Sequence, residues 1–324
     1  MLKDQHDRKV NYLRVSITDR CNLRCLYCMP PQGIDPLERR EILSYEEISE
    51  VVSVAVRSGI TRVRITGGEP LVRKNVPHLV RALSRFGSLE EVSLTTNGVL
   101  LSDLASELKQ SGLYRVNVSL DSLSREKFRN ITRMDELPRV MLGIEKAIEV
   151  GLTPVKLNVV VMRGVNDDEL ESFGRLSQAT PLHIRFIEYM QFGKMDLRNY
   201  FYPVSKMKDR LAKLGSLRPA EDVRGSGPAQ YFRYENALGT VGFISPLSDS
   251  FCGNCNRLRL SADGKLRPCL LSDQELDLRT PLRNGTTKAE IELLIRKAVE
   301  MKPPHPRSPE AAGQGRPNMA SIGG

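Results

Sequence analysis

The chain lacks the sequence features of membrane, secreted and nucleic-acid-binding proteins. It has no tryptophan, and no apolar run approaches the ~20 residues that a membrane-spanning helix needs. The opening MLKDQHDRKV lacks the apolar core of a signal peptide. No dense Lys/Arg tail is present, and without tryptophan a stacking platform for nucleic acid has little support. We therefore expect a cytoplasmic protein with neither a membrane nor a nucleic acid as partner.

Positive charge is in excess, because 48 Lys and Arg residues against 39 Asp and Glu give a net charge of +9. Such an excess attracts polyanions. In the absence of a basic tail, a basic pocket for a phosphorylated small molecule is the better interpretation. The 324 residues, 40% of them hydrophobic, are enough for a globular protein with a sizeable core.

Short β-branched runs alternate with helical patterns from residue 12 to about 190. In one helical stretch Ser44 and Glu47 form a capping box and Gly59 provides a stop signal. Repeated βα units predict parallel strands joined by right-handed crossovers. The six strand candidates begin at or near Tyr12, Thr61, Glu91, Tyr114, Val155 and His183.

Polar or reactive residues follow strand after strand in this region, and barrel enzymes assemble their sites from strand ends in this way. A doubly wound sheet also satisfies the pattern, but the strand ends favour a barrel. We predict an α/β protein with a partial, six-unit, TIM-like βα barrel over residues 1–195. The strand-end groups are Thr18-Asp19, Gly67-Gly68-Glu69, Thr95-Thr96-Asn97, Ser119 with Asp121, and Glu188 with Met190.

Beyond residue 195 the pattern changes, and a C-terminal region over residues 196–302 is expected. It contains a helix at about 205–214 and an amphipathic helix at about 287–301. Between them, a hairpin turns on Asp263-Gly264. The last segment, 303–324, is too rich in proline and glycine to pack regularly, which predicts a mobile tail ending in Gly323-Gly324.

The six cysteines form two triplets. Cys21, Cys25 and Cys28 follow the first strand with the spacing Cx3CxxC. Disulfides are rare in a cytoplasmic chain of this size. Zinc normally takes four ligands, and the nearest histidine, His6, is poorly placed. An iron–sulfur cluster of the [4Fe-4S] type held by three thiolates leaves one iron open to a non-protein ligand. The spacing favours such a cluster, with zinc as the alternative.

The second triplet also offers three thiols without a fourth: Cys252, Cys255 and Cys269. Half of a zinc ribbon is the alternative here, because the hairpin context suits a ribbon, but no fourth ligand lies nearby. A second [4Fe-4S] cluster with an open iron is the favoured interpretation. Arg257 and Arg259 alternate along a strand and share one face. Two guanidinium groups beside an open iron indicate an anionic or hydrogen-bonding ligand.

The Cx3CxxC loop, with Tyr27 before its last cysteine, resembles the radical S-adenosylmethionine superfamily. In that superfamily the open iron binds the methionine end of S-adenosylmethionine, and cleavage gives a 5′-deoxyadenosyl radical. "TGGEP" at 66–70 is similar to the superfamily's motif that binds the methionine amino group through the backbone. The resemblance implies a radical SAM type of fold and assigns four residues to S-adenosylmethionine: Tyr27, Gly68, Ser119 and Met190.

The second triplet, "CNRLRL" and the terminal "SIGG" resemble the GTP 3′,8-cyclase family, lyases of the first step of molybdenum cofactor biosynthesis. The resemblance runs essentially end to end. It implies hydrogen abstraction from C3′ of GTP and joining of C3′ to C8, with two [4Fe-4S] clusters and S-adenosylmethionine as cofactors. It also implies an electron donor, delivery of the product to cyclic pyranopterin monophosphate synthase, and a monomer or homodimer. Two alternatives are another radical SAM enzyme with an auxiliary cluster and a non-catalytic zinc-binding interaction protein.

The resemblance also distributes roles among individual residues. The first cysteine triplet, Gly323 and Gly324 take catalytic roles, with Met319 and Ile322 as anchors of the terminal segment at the barrel mouth. Arg62 and Arg185 are weaker candidates for the anionic pocket. The residues expected to bind GTP are Arg14, Arg64, Thr95, Lys156, Arg257, Leu258 and Arg259.

Overall fold

The structure is a computed structural model that describes residues 1–190, 198–223, 225 and 227–304. The chain opens with a small antiparallel ladder of β1 (Leu2–Lys3) and β2 (Lys9–Val10). The rest of the described chain is organised around one sheet of twelve strands.

Six consecutive strands of this sheet are parallel, each paired with the next along the chain. Each of the six begins within one residue of a predicted start, so the predicted βα units are confirmed. The strands are β3 (Tyr12–Ser16), β4 (Arg62–Thr66), β5 (Glu91–Thr96), β6 (Arg115–Ser119), β7 (Lys156–Val161) and β8 (His183–Glu188).

Helices follow these strands as the alternating pattern predicts. The capping box of α1 is present, with Ser44 and Glu47 each accepting from the other's backbone, and Gly59 ends the helix in the left-handed region at φ 116. The helices are α1 (Tyr45–Ser58), α2 (Val76–Ser84), α3 (Leu101–Gln110), α4 (Arg125–Thr132), α5 (Leu137–Glu149) and α6 (Leu170–Ala179).

The C-terminal region contributes short strands and three further helices. The predicted turn at Asp263-Gly264 joins two antiparallel strands, β12 and β13, and Gly264 has φ +81. In chain order the elements are α7 (Val204–Leu211), β9 (Leu217–Pro219), β10 (Gln230–Tyr234), β11 (Thr240–Ile244), β12 (Arg257–Leu260), β13 (Lys265–Arg267), β14 (Leu276–Asp277), α8 (Arg279–Arg283) and α9 (Lys288–Glu300).

Two of these strands extend the parallel set, which the sequence did not predict. β11 pairs in parallel with β8, and β12 pairs in parallel with β3. The C-terminal region therefore adds one parallel strand to each end of the six-strand series, and the antiparallel strands β9–β10 and β13–β14 lie beyond them. The second cysteine triplet reaches the sheet through this pairing, because Cys255 lies two residues before β12.

The two faces of the sheet differ in chemistry because side chains alternate along each strand. In β4, Val63 and Ile65 are fully buried in the main apolar cluster together with the helix residue Val51. Arg64 and Thr66 face the opposite side and line a cavity. That cavity is lined both by β11 and by β12, which are seven strands apart in the sheet order, so the sheet curves around it as a partial barrel. Over the described residues, no helix is both long and apolar enough to cross a membrane.

Candidate active site

One cavity extends from the first cysteine loop to the second cysteine segment. It lies at the carboxyl ends of the parallel strands, where barrel enzymes place their chemistry. Phe251 and Leu270 form part of the wall on the second-triplet side. The predicted site residues that line it are Arg14, Cys21, Cys25, Tyr27, Cys28, Arg64, Gly68, Thr95, Ser119, Met190, Arg257 and Arg259.

The loop that carries the first triplet is held by backbone hydrogen bonds. The Cys28 N–H donates to the Cys25 carbonyl at 2.9 Å, closing a tight turn between two of the thiols. The Leu26 N–H donates to the Ile131 carbonyl at 2.9 Å at the end of α4. The Arg133 guanidinium donates to the carbonyls of Arg24 at 2.6 Å and Met29 at 3.1 Å. The loop is thus docked on α4, which orients the cysteines towards the cavity.

The glycine pair after β4 approaches this loop more closely than any side chain allows. A Cβ atom on Gly67 would lie 2.5 Å from the Thr18 carbonyl oxygen, and one on Gly68 would lie 2.5 Å from that of Arg20. The Gly68 N–H donates to the Thr18 carbonyl at 2.8 Å. Two residues without Cβ are therefore required where the strand end meets the start of the cysteine loop.

Glu69 continues this turn as a fully buried carboxylate. It accepts hydrogen bonds from the Leu71 N–H at 2.9 Å, the Thr96 hydroxyl at 2.8 Å and the Asn97 N–H at 2.6 Å. Burial outweighs these bonds and raises the pKa of Glu69 to about 7. The Asn97 amide in turn donates to Sγ of Cys21 at 3.8 Å. Glu69 therefore connects the ends of β4 and β5 to the first thiol.

Tyr27 and Asp121 form a second buried pair at the same end of the barrel. The Tyr27 hydroxyl donates to Oδ2 of Asp121 at 2.7 Å, and the Val160 N–H donates to its Oδ1 at 2.8 Å. Burial raises the pKa of Asp121 to about 6. Burial and the neighbouring carboxylate raise the pKa of the Tyr27 hydroxyl well above its usual range. The residues predicted to bind S-adenosylmethionine all line the cavity around this pair.

The donor chemistry of the first triplet fits an iron–sulfur cluster. Burial raises the pKa of Cys21 to about 11, and burial with the neighbouring Cys28 raises that of Cys25 well above its usual range. Cysteines bind a metal as thiolates. Because burial disfavours these negative charges, the thiolates need the compensating positive charge of a bound metal group. In residues 1–190, 198–223, 225 and 227–304, no three His, Cys, Asp or Glu side chains converge enough to hold a single ion. A four-iron cluster takes one thiolate per iron, so its ligands need not meet at one point.

Cationic side chains project into the cavity from the inner face of the sheet. Burial lowers the pKa of Arg64 and of Arg259 to about 10. Burial, with Arg259 and Arg64 nearby, lowers the pKa of Arg14 well below its usual range. Among the residues that the structure describes, the buried Nε atoms of Arg14 and Arg185 and Oδ1 of Asn158 have no hydrogen-bond partner. Crowded guanidinium groups with free donors require an anionic ligand.

Below this layer lies a buried polar network, of which sequence reasoning named Arg64 and Lys156 but missed Glu91, Arg115 and Asn117. Arg115 donates to Glu91 at 2.6 Å and to Asn117 at 2.8 Å, and Arg64 lies 3.9 Å from the same carboxylate. Lys156 Nζ donates to the Tyr231 hydroxyl at 3.1 Å. Burial, with Arg115 nearby, lowers the pKa of Lys156 to about 6. The alternation of polar residues in "RVNVS" of β6 was the available signal for this network.

The second triplet has a cationic surrounding. Cys252 lies in a short 3-10 turn, Phe251–Asn254, that brings its carbonyl 3.2 Å from the Cys255 N–H. Lys302, only 3% exposed, places Nζ 3.7 Å from Sγ of Cys255. Burial acts to raise the pKa of Cys255, but Arg257 and Lys302 outweigh it and lower the pKa to about 7. These three soft thiol donors also fit an iron–sulfur cluster.

Some predicted site residues lie away from the cavity wall. Leu258 is 1% exposed and packs in the main apolar cluster, since it alternates with Arg257 and Arg259 along β12. Arg62 forms an ion pair with Glu90 at 2.5 Å at the start of β4. Residues of the terminal segment to which roles were assigned lie outside the described residues: Met319, Ile322, Gly323 and Gly324.

Two family models divide the chain between them. Residues 15–176 match the radical SAM superfamily, and residues 182–307 match the molybdenum cofactor synthesis C family. The chain is 51% identical over 325 residues to the GTP 3′,8-cyclase of Heliobacterium modesticaldum, with 99% of each chain covered. It is 49% identical over 324 residues to that of Moorella thermoacetica, with 100% of each covered. The chain belongs to the GTP 3′,8-cyclase family.

Solved structures of lower identity share the fold of this family member. SuiB of Streptococcus suis bound to its precursor peptide gives a TM-score of 0.66 at 12% identity, over 93% of this chain and 67% of that chain. SuiB bound to S-adenosylmethionine gives 0.61 at 12% identity, over 84% of this chain and 64% of that chain. This chain therefore shares the fold of SuiB, and the family model over residues 15–176 assigns its barrel to the radical SAM superfamily.

Proposed function

We propose that this chain is a GTP 3′,8-cyclase that converts GTP to 3′,8-cyclo-7,8-dihydro-GTP, the first step of molybdenum cofactor biosynthesis. The observation that carries the proposal is the cavity that extends from the first cysteine triplet, across a wall of arginines, to Phe251 and Leu270, which neighbour Cys252 and Cys269 in the chain. When bound at the first triplet, a [4Fe-4S] cluster and S-adenosylmethionine supply the 5′-deoxyadenosyl radical that removes hydrogen from C3′ of GTP. The carbon radical then closes on C8, and one electron from the electron donor together with one proton completes the 7,8-dihydro product.

Residues around the first triplet hold S-adenosylmethionine in this proposal. The Gly67-Gly68 backbone offers polar groups at the strand end, because no side chain intervenes there. Tyr27, Ser119 and Met190 line the cavity next to the cysteines. The buried Glu69 and Asp121 stiffen the surrounding strand ends through their hydrogen bonds to backbone N–H groups. Together they fix the cofactor between the thiols and the substrate.

GTP occupies the middle of the cavity. Arg14 and Arg64 line the cavity and neutralise phosphate charge. Lys156 is proposed to add its charge to the same ligand from the network behind them, where it donates to the Tyr231 hydroxyl. Thr95 lies on the same wall and contacts the nucleoside. In the radical mechanism the ribose must face the first triplet, so the guanine lies towards Arg257 and Arg259. Leu258 contributes through its backbone in this arrangement, since its side chain is in the core.

A second [4Fe-4S] cluster belongs to the same proposal, held by Cys252, Cys255 and Cys269. Its support is the chemistry of the donor set: three thiols that form no disulfide, with Cys255 close to Arg257 and with Cys255 and Cys269 close to Arg259. With three thiolates for four irons, one iron is left for a ligand from the substrate.

Partners and location follow from the reaction. Radical generation requires an electron donor, and the product passes to cyclic pyranopterin monophosphate synthase. We place the enzyme in the cytoplasm, acting as a monomer or homodimer.

The terminal Gly323-Gly324 is proposed to enter the active site and help position GTP. Two residues without Cβ can pass through a channel that side chains would block, and the terminal carboxylate would meet the cations of the cavity. Deleting both glycines should leave iron content and GTP binding intact but suppress cyclisation. A truncated enzyme that forms product at the parent rate would refute this role.

The decisive experiment for the reaction is anaerobic incubation of the reconstituted enzyme with GTP, S-adenosylmethionine and a strong reductant. We expect 5′-deoxyadenosine and the cyclised nucleotide in equal amounts, identified by mass spectrometry. GTP labelled with deuterium at C3′ should transfer its label to 5′-deoxyadenosine. Formation of 5′-deoxyadenosine while GTP is neither consumed nor a source of label would indicate a different substrate. If metal analysis of the enzyme found zinc in place of iron, the radical mechanism would be refuted.

A further inference from the structure

Lys302, which follows α9 and Met301, is a buried lysine to which the proposed function assigns no role. Lys302 is 3% exposed, although burying a long cationic side chain is unfavourable unless its donors are satisfied. Its Nζ lies 2.8 Å from the Arg257 carbonyl, 3.1 Å from the Pro268 carbonyl and 3.7 Å from Sγ of Cys255. A lysine ammonium has three donors, and these three acceptors account for all of them.

The acceptors come from the segments that carry the second triplet. Arg257 follows Cys255 by two residues, and Pro268 directly precedes Cys269. Lys302 therefore joins the two halves of the triplet and directs its third donor to a ligating sulfur. Two carbonyls would suffice for a purely structural anchor, so the approach to sulfur requires a separate explanation.

The position of the lysine is fixed from both sides. The Lys302 N–H donates to the Val299 carbonyl at 3.2 Å in the last turn of the helix. On the other side, the Arg8 guanidinium donates to the Pro303 carbonyl at 2.7 Å and to the Cys252 carbonyl at 2.9 Å. Arg8 is itself held by Asp4 at 2.6 Å. The β1–β2 ladder thus fastens the chain on which Lys302 lies to the cysteine segment.

We propose that Lys302 donates a hydrogen bond to the Cys255 thiolate and thereby raises the reduction potential of the second iron–sulfur cluster. This inference rests on the second cluster of the proposed function. Hydrogen bonds to cluster sulfurs and nearby positive charge stabilise the reduced, more negative state. At the first triplet, by contrast, the donors to Sγ of Cys21 are the uncharged Leu23 N–H at 3.4 Å and the Asn97 amide at 3.8 Å.

The test uses the full-length chain with Cys21, Cys25 and Cys28 changed to Ala, so that only the second cluster contributes. Iron and sulfide analysis of this parent comes first, because a parent without a cluster would refute the cofactor assignment and not the role of Lys302. An anaerobic redox titration followed by electron paramagnetic resonance then gives the midpoint potential. Lys302→Met is compared with Lys297→Met, an exposed lysine on α9.

Loss of Lys302 should lower the ratio of reduced to oxidised cluster about tenfold at a given potential, a downward shift of about 59 mV for one electron. Lys302→Gln retains N–H donors without the charge and should fall between the parent and Lys302→Met. Lys297→Met should match the parent.

An unchanged potential in a Lys302→Met variant that retains its cluster would overturn the proposal. If Lys302→Met does not hold iron, Lys302→Gln decides by the same criterion. If both variants lose the cluster while circular dichroism shows an intact fold, Lys302 is a structural anchor only, and the proposal is likewise overturned.

Discussion

The two cysteine triplets have the same number of thiols but opposite electrostatic surroundings. The first lies beside two buried carboxylates, Glu69 and Asp121, whose pKa values burial raises to about 7 and about 6. The second lies beside Arg257, Arg259 and Lys302. Of these cations, Arg257 and Lys302 lower the pKa of Cys255 to about 7. The number of cysteines alone therefore does not determine what a cluster site does.

This difference matches a division of labour, that is, different roles for the two ends of the cavity: a cofactor site at the first triplet and stabilisation of negative charge at the second. Around the first triplet, backbone groups and buried carboxylates form a rigid frame for a cofactor that brings its own positive sulfonium. Around the second, the cations would stabilise the added negative charge of an anionic ligand or, in the proposed cluster, of an electron. Four predictions, from the largest expected effect to the smallest, test whether the two ends are distinct.

The sharpest contrast should come from removing one thiol at each end. Cys25→Ala should abolish formation of 5′-deoxyadenosine, because the open-iron cluster needs all three ligands. Cys255→Ala should retain slow cleavage of S-adenosylmethionine but yield no cyclised nucleotide. Each variant should lose about half of the iron of the reconstituted enzyme. Product analysis by mass spectrometry distinguishes them, and the same loss of cleavage in both would contradict the division of labour.

The glycines of the two sites should differ almost as much. A Cβ on Gly68 would lie 2.5 Å from the Arg20 carbonyl oxygen and 2.7 Å from that of Asp19. Gly68→Ala must therefore displace the start of the cysteine loop, and we expect at least about a tenfold loss of S-adenosylmethionine affinity, or about 1.4 kcal/mol. At Gly253, next to Cys252, no atom of the residues that the structure describes lies within 4 Å of such a Cβ.

Gly253→Ala is thus the matched control for Gly68→Ala. Equilibrium binding of S-adenosylmethionine to the reconstituted variants should leave Gly253→Ala unchanged. Equal affinities in Gly68→Ala and the parent would mean that the close approach at the first site has no functional importance.

The arginines that face the cavity should differ in their effect on GTP binding from an arginine that lies away from it. A charged hydrogen bond contributes about 1.5–3 kcal/mol, so Arg64→Ala should weaken GTP binding about ten- to a hundredfold. Arg62→Ala removes an arginine of the same strand that pairs with Glu90 instead, and it should bind GTP as the parent does. Isothermal titration calorimetry measures both. Arg64 would be excluded from the GTP site if its loss affected S-adenosylmethionine instead.

The smallest effect on the reaction itself is expected at Glu69, where the measured quantity is the pH dependence of stability at the first site. The folded pKa of Glu69 is raised by burial to about 7, above the value of about 4.3 in an unfolded chain. Its favourable contribution is fully present below about pH 4 and is lost as pH rises through about 7. Relative to wild type, Glu69→Gln should gain up to about 3 kcal/mol in free energy of unfolding between pH 5 and about 8.

Anaerobic urea titrations at several pH values provide this measurement. Glu90→Gln, which removes an exposed carboxylate, should follow the wild-type pH profile. Parallel profiles for Glu69→Gln and wild type would show that Glu69 ionises in the folded protein as easily as in the unfolded chain.

The sequence by itself was sufficient for the six core strands and for α1, because period-two alternation, capping residues and glycine stops are local signals. It was also sufficient to propose both thiol triplets. The chemistry of a triplet depends on residue type and spacing, and the family motifs lie within short segments. Arg14 and Arg64 were assigned to the GTP site through the family resemblance, and their positions between buried apolar residues on short strands agree with inward-facing side chains.

Only the tertiary structure decided how these pieces meet. The parallel pairing of β11 and β12 with opposite ends of the six-strand series joins segments far apart in the chain, and no local pattern specifies such a partner. The Glu91–Arg115 pair depends on the register of two neighbouring strands. Lys302 contacts Cys255 across 47 residues. Its burial is set by the docking of a helix end on a hairpin, a long-range packing event that composition and periodicity do not record.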